Sequence, residues 1–275
     1  MVVTRSRAQA SGLADRLTAL GATVVELPVI AIEDPADGGS ALTEAADRLV
    51  AGGYCWVACT SSNAVIRLFA AVGNRRVPPS VRWAAVGAGT ARRLGEGGVI
   101  PDLMPEVSLS DALADAFPEA GSSGPGTFSG PEGQVTVLFP RAETVRGALA
   151  SGLRAKGWTV DEVAAYRTLA GAPDPEAIAA AGQADAIAFT SSSTVERTID
   201  LLGADAVPPV VVSIGPITSA TAREAGLAVT VEAAAHTIDG LVESLVAVVG
   251  QGESRPGGRG PGAWHQQQQQ QSQQQ

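Results

Sequence analysis

Lysine is almost missing from this sequence: Lys156 stands alone against eighteen arginines. A phosphate loop of the GK[ST] type needs a lysine directly after glycine, and Lys156 follows Ala155, so that motif is absent. A Schiff-base enzyme would have to use Lys156, which sits in a helical stretch (RGALASGLRAKG) just before a terminating Gly157. Histidine is equally scarce. His265 lies in a Gln-rich tail and His236 is the one other, which excludes a His-based metal cluster. No GxSxG elbow is present, and His236 precedes Thr237 at an expected helix start, where it flanks a cap. Cys55 and Cys59 are the two cysteines, four apart in an apparent strand that Tyr54 is expected to start. At ~3.3 Å per residue their Cα atoms stand ~13 Å apart, too far for a disulfide. They read as buried reduced thiols, which suits a cytoplasmic location. No signal peptide opens the chain, and no apolar run approaches the ~20 residues of a membrane span.

Charge is sparse as well. Charged residues make up 17%, below the usual ~25%. The net charge is −9; Arg255 and Arg259 against Glu253 make the last 25 residues +1, so the rest carries −10. A nucleic-acid or anionic-membrane binder needs a basic face, so neither partner is expected. From Gln251 onward the chain is Gly, Pro, Arg and then glutamine, too poor in apolar surface to offset ordering entropy. The expected domain ends near Gly250, and about 250 residues suffice for two cores.

What is there is a repeat. VVTRSRAQASGLADRLTALGATVVELPVI is matched by TVLFPRAETVRGALASGLRAKGWTVDEVAAY at an offset of 136, aligning Gly21 with Gly157. YCWVACTSSNAV is matched by ADAIAFTSSSTV at an offset of 130. WAAVGAGTARRLGEGGV is matched by VVSIGPITSATAREAGL at an offset of 128, aligning Gly87 with Gly215. Each unit reads strand, turn, helix. The strands are continuous apolar runs (Val135–Phe139, Ala186–Phe189, Val210–Ile214), as expected of parallel strands covered on both faces. Leu13, Leu17 and Leu20 are placed on one helical face, with Gly21 as a left-handed stop. Alternating strands and helices imply doubly wound α/β sheets. Residues 33–40 read as a linker and residues 118–133 as a Gly/Ser/Pro surface loop.

In open α/β sheets ligands bind beyond the carboxyl ends of the strands. Those positions hold Thr4-Arg5-Ser6, Thr60-Ser61-Ser62-Asn63, Gly87-Ala88-Gly89-Thr90, Pro140-Arg141-Ala142-Glu143-Thr144, Thr190-Ser191-Ser192-Ser193 and Gly215-Pro216-Ile217-Thr218. All are rich in hydroxyls or glycine, and each is expected to open a helix. Any one loop is explained by capping. Six of them at one edge point to a large polyanion held by backbone N–H groups. Gly87-Ala88-Gly89 begins like a dinucleotide fingerprint but lacks the third glycine. Tyr166 falls opposite Ile30 in the other copy, so one copy holds a phenol where the other is apolar. Ring packing at the core rim and a chemical role stand equal for Tyr166 on sequence alone.

These residues resemble the uroporphyrinogen-III synthase family. The resemblance covers Val2 to Val249 and rests on VVTR, ALGATVVELPVIAIED, the TSSNAV/TSSSTV pair, VGAGTA and SIGPITSA, VLFPRAE and VAAYRT, in that order. Two positions depart from the family pattern: Ser6 stands where Pro is common, and Ala235-His236 before Thr237 where Ser-Pro is common. The resemblance implies two flavodoxin-like parallel-sheet lobes with an interdomain cleft, joined by two crossing segments. One lobe would be discontinuous, 1–34 plus 171–250, and the other 41–168, with 251–275 a disordered Gln-rich tail. The implied reaction cyclises linear hydroxymethylbilane to uroporphyrinogen III, with loss of water and inversion of the last pyrrole through a spiro intermediate, and needs no cofactor or metal. The implied substrate is a polycarboxylate tetrapyrrole, with room for a transient hand-over from the preceding pathway enzyme. Tyr166 is the implied aid to hydroxide departure. Arg5, Thr60, Ser61, Ser62, Gly87, Thr90, Arg141, Thr190, Ser191, Gly215, Thr218 and Thr237 are the implied substrate contacts. A non-catalytic two-lobed module that binds a tetrapyrrole or polyanion is the alternative.

Overall fold

The computed structural model describes residues 1–121, 135–144 and 148–252. The rest of the expected 118–133 loop and of the tail lies outside the described residues. In chain order the elements are β1 (Val2–Val3), α1 (Arg7–Ala19), β2 (Val25–Glu26), β3 (Ile30–Glu33), α2 (Ser40–Val50), β4 (Trp56–Cys59), α3 (Ser62–Val72), β5 (Arg82–Ala85), α4 (Ala88–Glu96) and α5 (Ser110–Ala116). They continue with β6 (Thr136–Ala142), α6 (Ala148–Ala155), β7 (Thr159–Ala170), α7 (Pro175–Ala181), β8 (Ala186–Phe189), α8 (Ser192–Leu202), β9 (Val210–Ser213), α9 (Pro216–Glu224), β10 (Val229–Glu232) and α10 (Ile238–Gly252).

The chain forms two compact units. One holds Met1–Ala31 and the chain from Ala170 onward; the other holds Ile32–Leu169. The first unit's sheet has the order β10-β9-β8-β1-β2, with its neighbours paired in parallel. The second sheet has the order β3-β7-β6-β4-β5, parallel from β7 to β5. Strands such as β4 and β8 are buried along their whole length, because helices cover both faces. Phe139 and Phe189 sit in these sheets at 2% and 0% exposure, where truncation to alanine costs ~3–5 kcal/mol.

The repeat appears in the backbone. Gly21 and Gly157 end their helices at φ 88° and 84°, as the sequence expects. The β5–β4–β6–β7 order of the second sheet reproduces β9–β8–β1–β2 of the first. Each sheet therefore combines the opening strand of one sequence copy with the Thr-Ser-Ser strand of the other: β1 lies beside β8, and β6 beside β4. Gly171 makes part of this path possible. Its N–H donates to Val29 O at 2.8 Å, and a Cβ there would fall 1.9 Å from Pro28 O.

Several sequence expectations shift. Leu13 and Leu17 are buried, but Leu20 is 53% exposed, because it already caps α1 and leaves the helical face. Tyr54 does not start a strand; it precedes β4, and its hydroxyl donates to Asp161 while accepting from Arg48 Nε at 2.9 Å. Arg141 lies within β6 rather than in a helix-opening loop, since β6 runs on to Ala142. α10 extends through Gly252, two residues past the expected end of the fold. Both cysteines are free and buried. Lys156 Nζ donates to Asp115 O and Phe117 O at 2.6 Å each, so its ammonium caps α5.

Candidate functional site

Parallel pairing brings the carboxyl ends of the paired strands to one edge, and the expected site residues divide between two such edges. In the first unit these are Arg5, Thr190, Ser191, Gly215, Thr218 and Thr237. In the second they are Thr60, Ser61, Ser62, Gly87, Thr90, Arg141 and Tyr166.

In the second unit Ser61 is the N-cap of α3, and its Oγ accepts the Asn63 N–H at 3.1 Å. The same Oγ lies 2.9 Å from the Tyr166 hydroxyl. β7 carries Tyr166 beside β6, so the phenol reaches the Thr-Ser-Ser loop across the sheet. Tyr166 is 8% exposed. Burial raises its pKa above the ordinary 10, while hydrogen bonds from Ser61 and Asn63 pull it down. A phenol so placed is protonated throughout the neutral range and keeps a proton to give. Ser62 Oγ donates to Gly89 O at 3.2 Å, tying this loop to the next. Gly87 opens α4, and a Cβ on it would meet Ser108 Oγ at 2.2 Å, so that close approach requires glycine.

The first unit repeats this with different partners. Ser191 caps α8 through a capping box with Thr194, and its Oγ lies 3.0 Å from Ser193 Oγ. Ser192 Oγ is 2.7 Å from Thr221 Oγ1, which donates to Ile217 O at 3.0 Å. Ser213, at the end of β9, clamps Gly215: its hydroxyl donates to Gly215 O at 3.0 Å and accepts the Gly215 N–H at 3.3 Å. Thr237 caps α10 by accepting the Gly240 N–H at 3.1 Å. His236 flanks that cap, exposed, with its ring against Gly215.

Not every expected contact is presented to a ligand. Thr90 and Thr218 are buried at 6% and 5% exposure, because the third residue of each helix turns back onto its sheet. Arg141 pairs with Glu162 at 2.9 Å and donates to Ala142 O and Glu143 O, so its charge is taken up within the unit. Sequence reasoning placed Asn63 at a strand end without giving it a role, and it missed Ser213 and Ser108. Asn63 directly follows the Thr-Ser-Ser triplet, where its counterpart is Ser193, and that difference was the available signal. Among the described residues no cluster of His, Cys, Asp and Glu could hold a metal, and no helix is long and apolar enough to cross a membrane.

Comparisons with known proteins agree with one another. A family model described as uroporphyrinogen-III synthase HemD matches residues 11–243. The uroporphyrinogen-III synthase of Synechococcus elongatus is 32% identical over 267 residues, covering 89% of this chain and 93% of that protein. A putative uroporphyrinogen-III synthase of Methanothermobacter thermautotrophicus is 31% identical over 183 residues, 61% of this chain and 67% of that protein. In fold, the chain is similar to a crystal structure of a mutant uroporphyrinogen III synthase from Thermus thermophilus, at TM-score 0.60 and 20% identity, covering 91% of this chain and 98% of that one. It is also similar to uroporphyrinogen-III synthetase from Helicobacter pylori, at TM-score 0.54 and 15% identity, covering 90% and 98%. With the two parallel sheets and their hydroxyl-rich edges in place, these matches show that the chain belongs to the uroporphyrinogen-III synthase family.

Proposed function

We propose that this chain, a lyase of tetrapyrrole biosynthesis by family, cyclises hydroxymethylbilane to uroporphyrinogen III with Tyr166 as the proton donor. The observation that carries the assignment is the Ser61–Tyr166 contact, which fixes a protonated phenol at a helix-opening hydroxyl loop. The substrate loses hydroxide from the carbon on its first ring, leaving an azafulvene electrophile. The Tyr166 O–H gives its proton to that hydroxide, which departs as water. The last ring then attacks at its substituted carbon to give the spiro intermediate. The bond from that carbon to the neighbouring ring's methylene breaks, and the freed methylene is captured by the last ring's unsubstituted α-carbon. The proton that carbon sheds as the pyrrole regains aromaticity restores the phenol. Hydroxymethylbilane also closes unaided to the symmetric isomer, so much of the catalysis is conformational: the loops hold the chain in the conformer that leads to isomer III. The substrate's acetates and propionates are taken by backbone N–H groups of the Thr60-Ser61-Ser62 and Thr190-Ser191 loops and by helix-start N–H groups beyond Gly87 and Gly215. Thr237 contributes its hydroxyl proton and Arg5 its charge. Thr90, Thr218 and Arg141 act from beneath, holding the helix starts and the β6 end in place.

The test is to supply hydroxymethylbilane, oxidise the products and separate isomers I and III, for the wild type and Tyr166→Phe. The phenylalanine keeps the ring and removes the donor. Proton donation contributes typically ~10²–10⁴-fold, and the conformational share survives, so kcat should fall about 10- to 100-fold with isomer III still formed. Wild-type turnover by Tyr166→Phe would remove the phenol from the mechanism. A switch to isomer I would make the hydroxyl an orienting group for the last ring.

A further inference from the structure

The repeat runs beyond its visible sequence match. At the same offset of 128, the Ala84–Leu103 bridge stands where Val212 pairs with Val231. The Leu109 N–H donates to Val107 O at 2.8 Å, and its counterpart Thr237 donates to Ala235 O at 2.7 Å. The Leu113 and Leu241 N–H groups bond Leu109 O and Thr237 O at 3.0 Å each, and both leucines are buried. This register makes Ser108 and His236 equivalent positions. Each lies over the glycine that opens the neighbouring helix. A Cβ on Gly87 would be 2.2 Å from Ser108 Oγ, and a Cβ on Gly215 would be 3.1 Å from His236 Cδ2. One structural position thus carries a hydroxyl in one copy and an exposed imidazole in the other.

The surroundings of His236 point to an anion. Pro216 at the first position of α9 has no N–H, and the Ser219 N–H is bound by Gly215 O, so the Ile217 and Thr218 N–H groups face past the helix start. Among the described residues of this unit, the Ser219 hydroxyl, fully buried in the first turn of α9, has no hydrogen-bond partner. Buried donors without partners are uncommon and mark places that a ligand or water completes. We propose that His236 positions the substrate, its imidazole N–H donating to a tetrapyrrole carboxylate seated at the start of α9. This rests on the reading of the loops as carboxylate seats. Ser108 gives the matching loop a neutral donor, so the repeat is differentiated here as it is at Tyr166 and Ile30.

The test compares KM and kcat for hydroxymethylbilane in His236→Ala, His236→Gln and Ser191→Asp, with melting temperatures. Losing one hydrogen bond to a charged group should raise KM in His236→Ala about tenfold, with kcat within about twofold and Tm unchanged. His236→Gln, which keeps an N–H donor at similar reach, should recover most of that loss. An unchanged KM in His236→Ala beside a raised KM in Ser191→Asp would overturn the role of His236 and leave the loop reading standing. Unchanged KM in both would overturn the two together. A fall in Tm without rescue by Gln would make His236 a structural residue.

Discussion

The two Thr-Ser-Ser loops are identical in sequence and different in use. Thr60–Ser62 and Thr190–Ser192 both leave a fully buried strand, both open an 11-residue helix, and both place the middle serine as an extended N-cap. Ser191 closes on its own helix: Thr194 completes a capping box, and Ser193 meets its Oγ. Ser61 has Ala64 where Ser191 has Thr194, so no box forms, and its hydroxyl meets Tyr166 at 2.9 Å. Capping by serine is local chemistry and is the same in both copies. Whether a cap also serves a reaction depends on what a distant strand brings to it, and β7 brings a phenol only to the first loop.

Aspartate separates the two loops most strongly. It caps a helix as well as serine does, so Ser61→Asp and Ser191→Asp should fold with Tm values near wild type. Both place a negative charge where carboxylates are to be held, and both should raise KM. Ser61→Asp also gives Tyr166 a carboxylate partner, which raises its pKa further and weakens it as an acid. The expected loss in kcat/KM is roughly 100-fold at Ser61 and about tenfold at Ser191, read by isomer-resolved turnover. Equal losses would remove the distinction between the loops.

A smaller effect is expected from alkali. In the proposed mechanism the active form of Tyr166 is the protonated one, and burial puts its pKa above the ordinary 10. Proton donation is therefore intact at neutral pH and is lost only as pH rises past 10. A kcat–pH profile should show that alkaline limb in the wild type and lack it in Tyr166→Phe. The same limb in both would assign it to unfolding. Unfolding has its own alkaline signature, because burial raises the Cys59 thiol from 9.0 to about 12. A folded-state pKa raised in this way supplies stability that is complete below pH 9 and disappears toward 12, so the wild type should lose stability across that window more steeply than Cys59→Ala.

Alanine gives the smallest difference. Ser61→Ala and Ser191→Ala each remove a cap, costing ~1 kcal/mol of stability by denaturant titration. Backbone N–H groups remain in both, so substrate binding should change little. Only Ser61→Ala removes a hydrogen bond that lowers the Tyr166 pKa, so a severalfold drop in kcat is expected there and none at Ser191. Alanine as harmful as aspartate at both positions would mean that the hydroxyls, and not the backbone, hold the substrate.

Much of the fold and of the site is legible in the sequence wherever a signal is local. The Ala186–Phe189 strand, the left-handed stops at Gly21 and Gly157, and the Thr237 cap follow from apolar runs, glycine and capping chemistry within a few residues. Local signals fail at ends and changes of role. Leu20 keeps the helical spacing but falls on the cap, and Arg141 sits in a stretch expected to open a helix that is strand. The equivalence of Ser108 and His236 leaves little trace in the sequence beyond Asp111/Asp239 and Leu113/Leu241, because the two segments share a backbone path and few residue types.

By itself the sequence determined that there are two copies of an α/β unit, that their strand ends are rich in hydroxyls and glycine, and which family they resemble. It left open which strands pair. The repeats alone suggest a division near Gln134, yet Val2 pairs with Ile187 and Trp56 with Val137. Ladder hydrogen bonds join backbone to backbone, and two copies with the same apolar strand pattern offer interchangeable partners, so side-chain patterning could not choose between them. Tertiary structure made that choice, through chain paths such as the close passage of Gly171 by Pro28. The Ser61–Tyr166 contact follows from the same choice: it joins residues 105 positions apart, and no local propensity reports a distance that only the completed sheet sets.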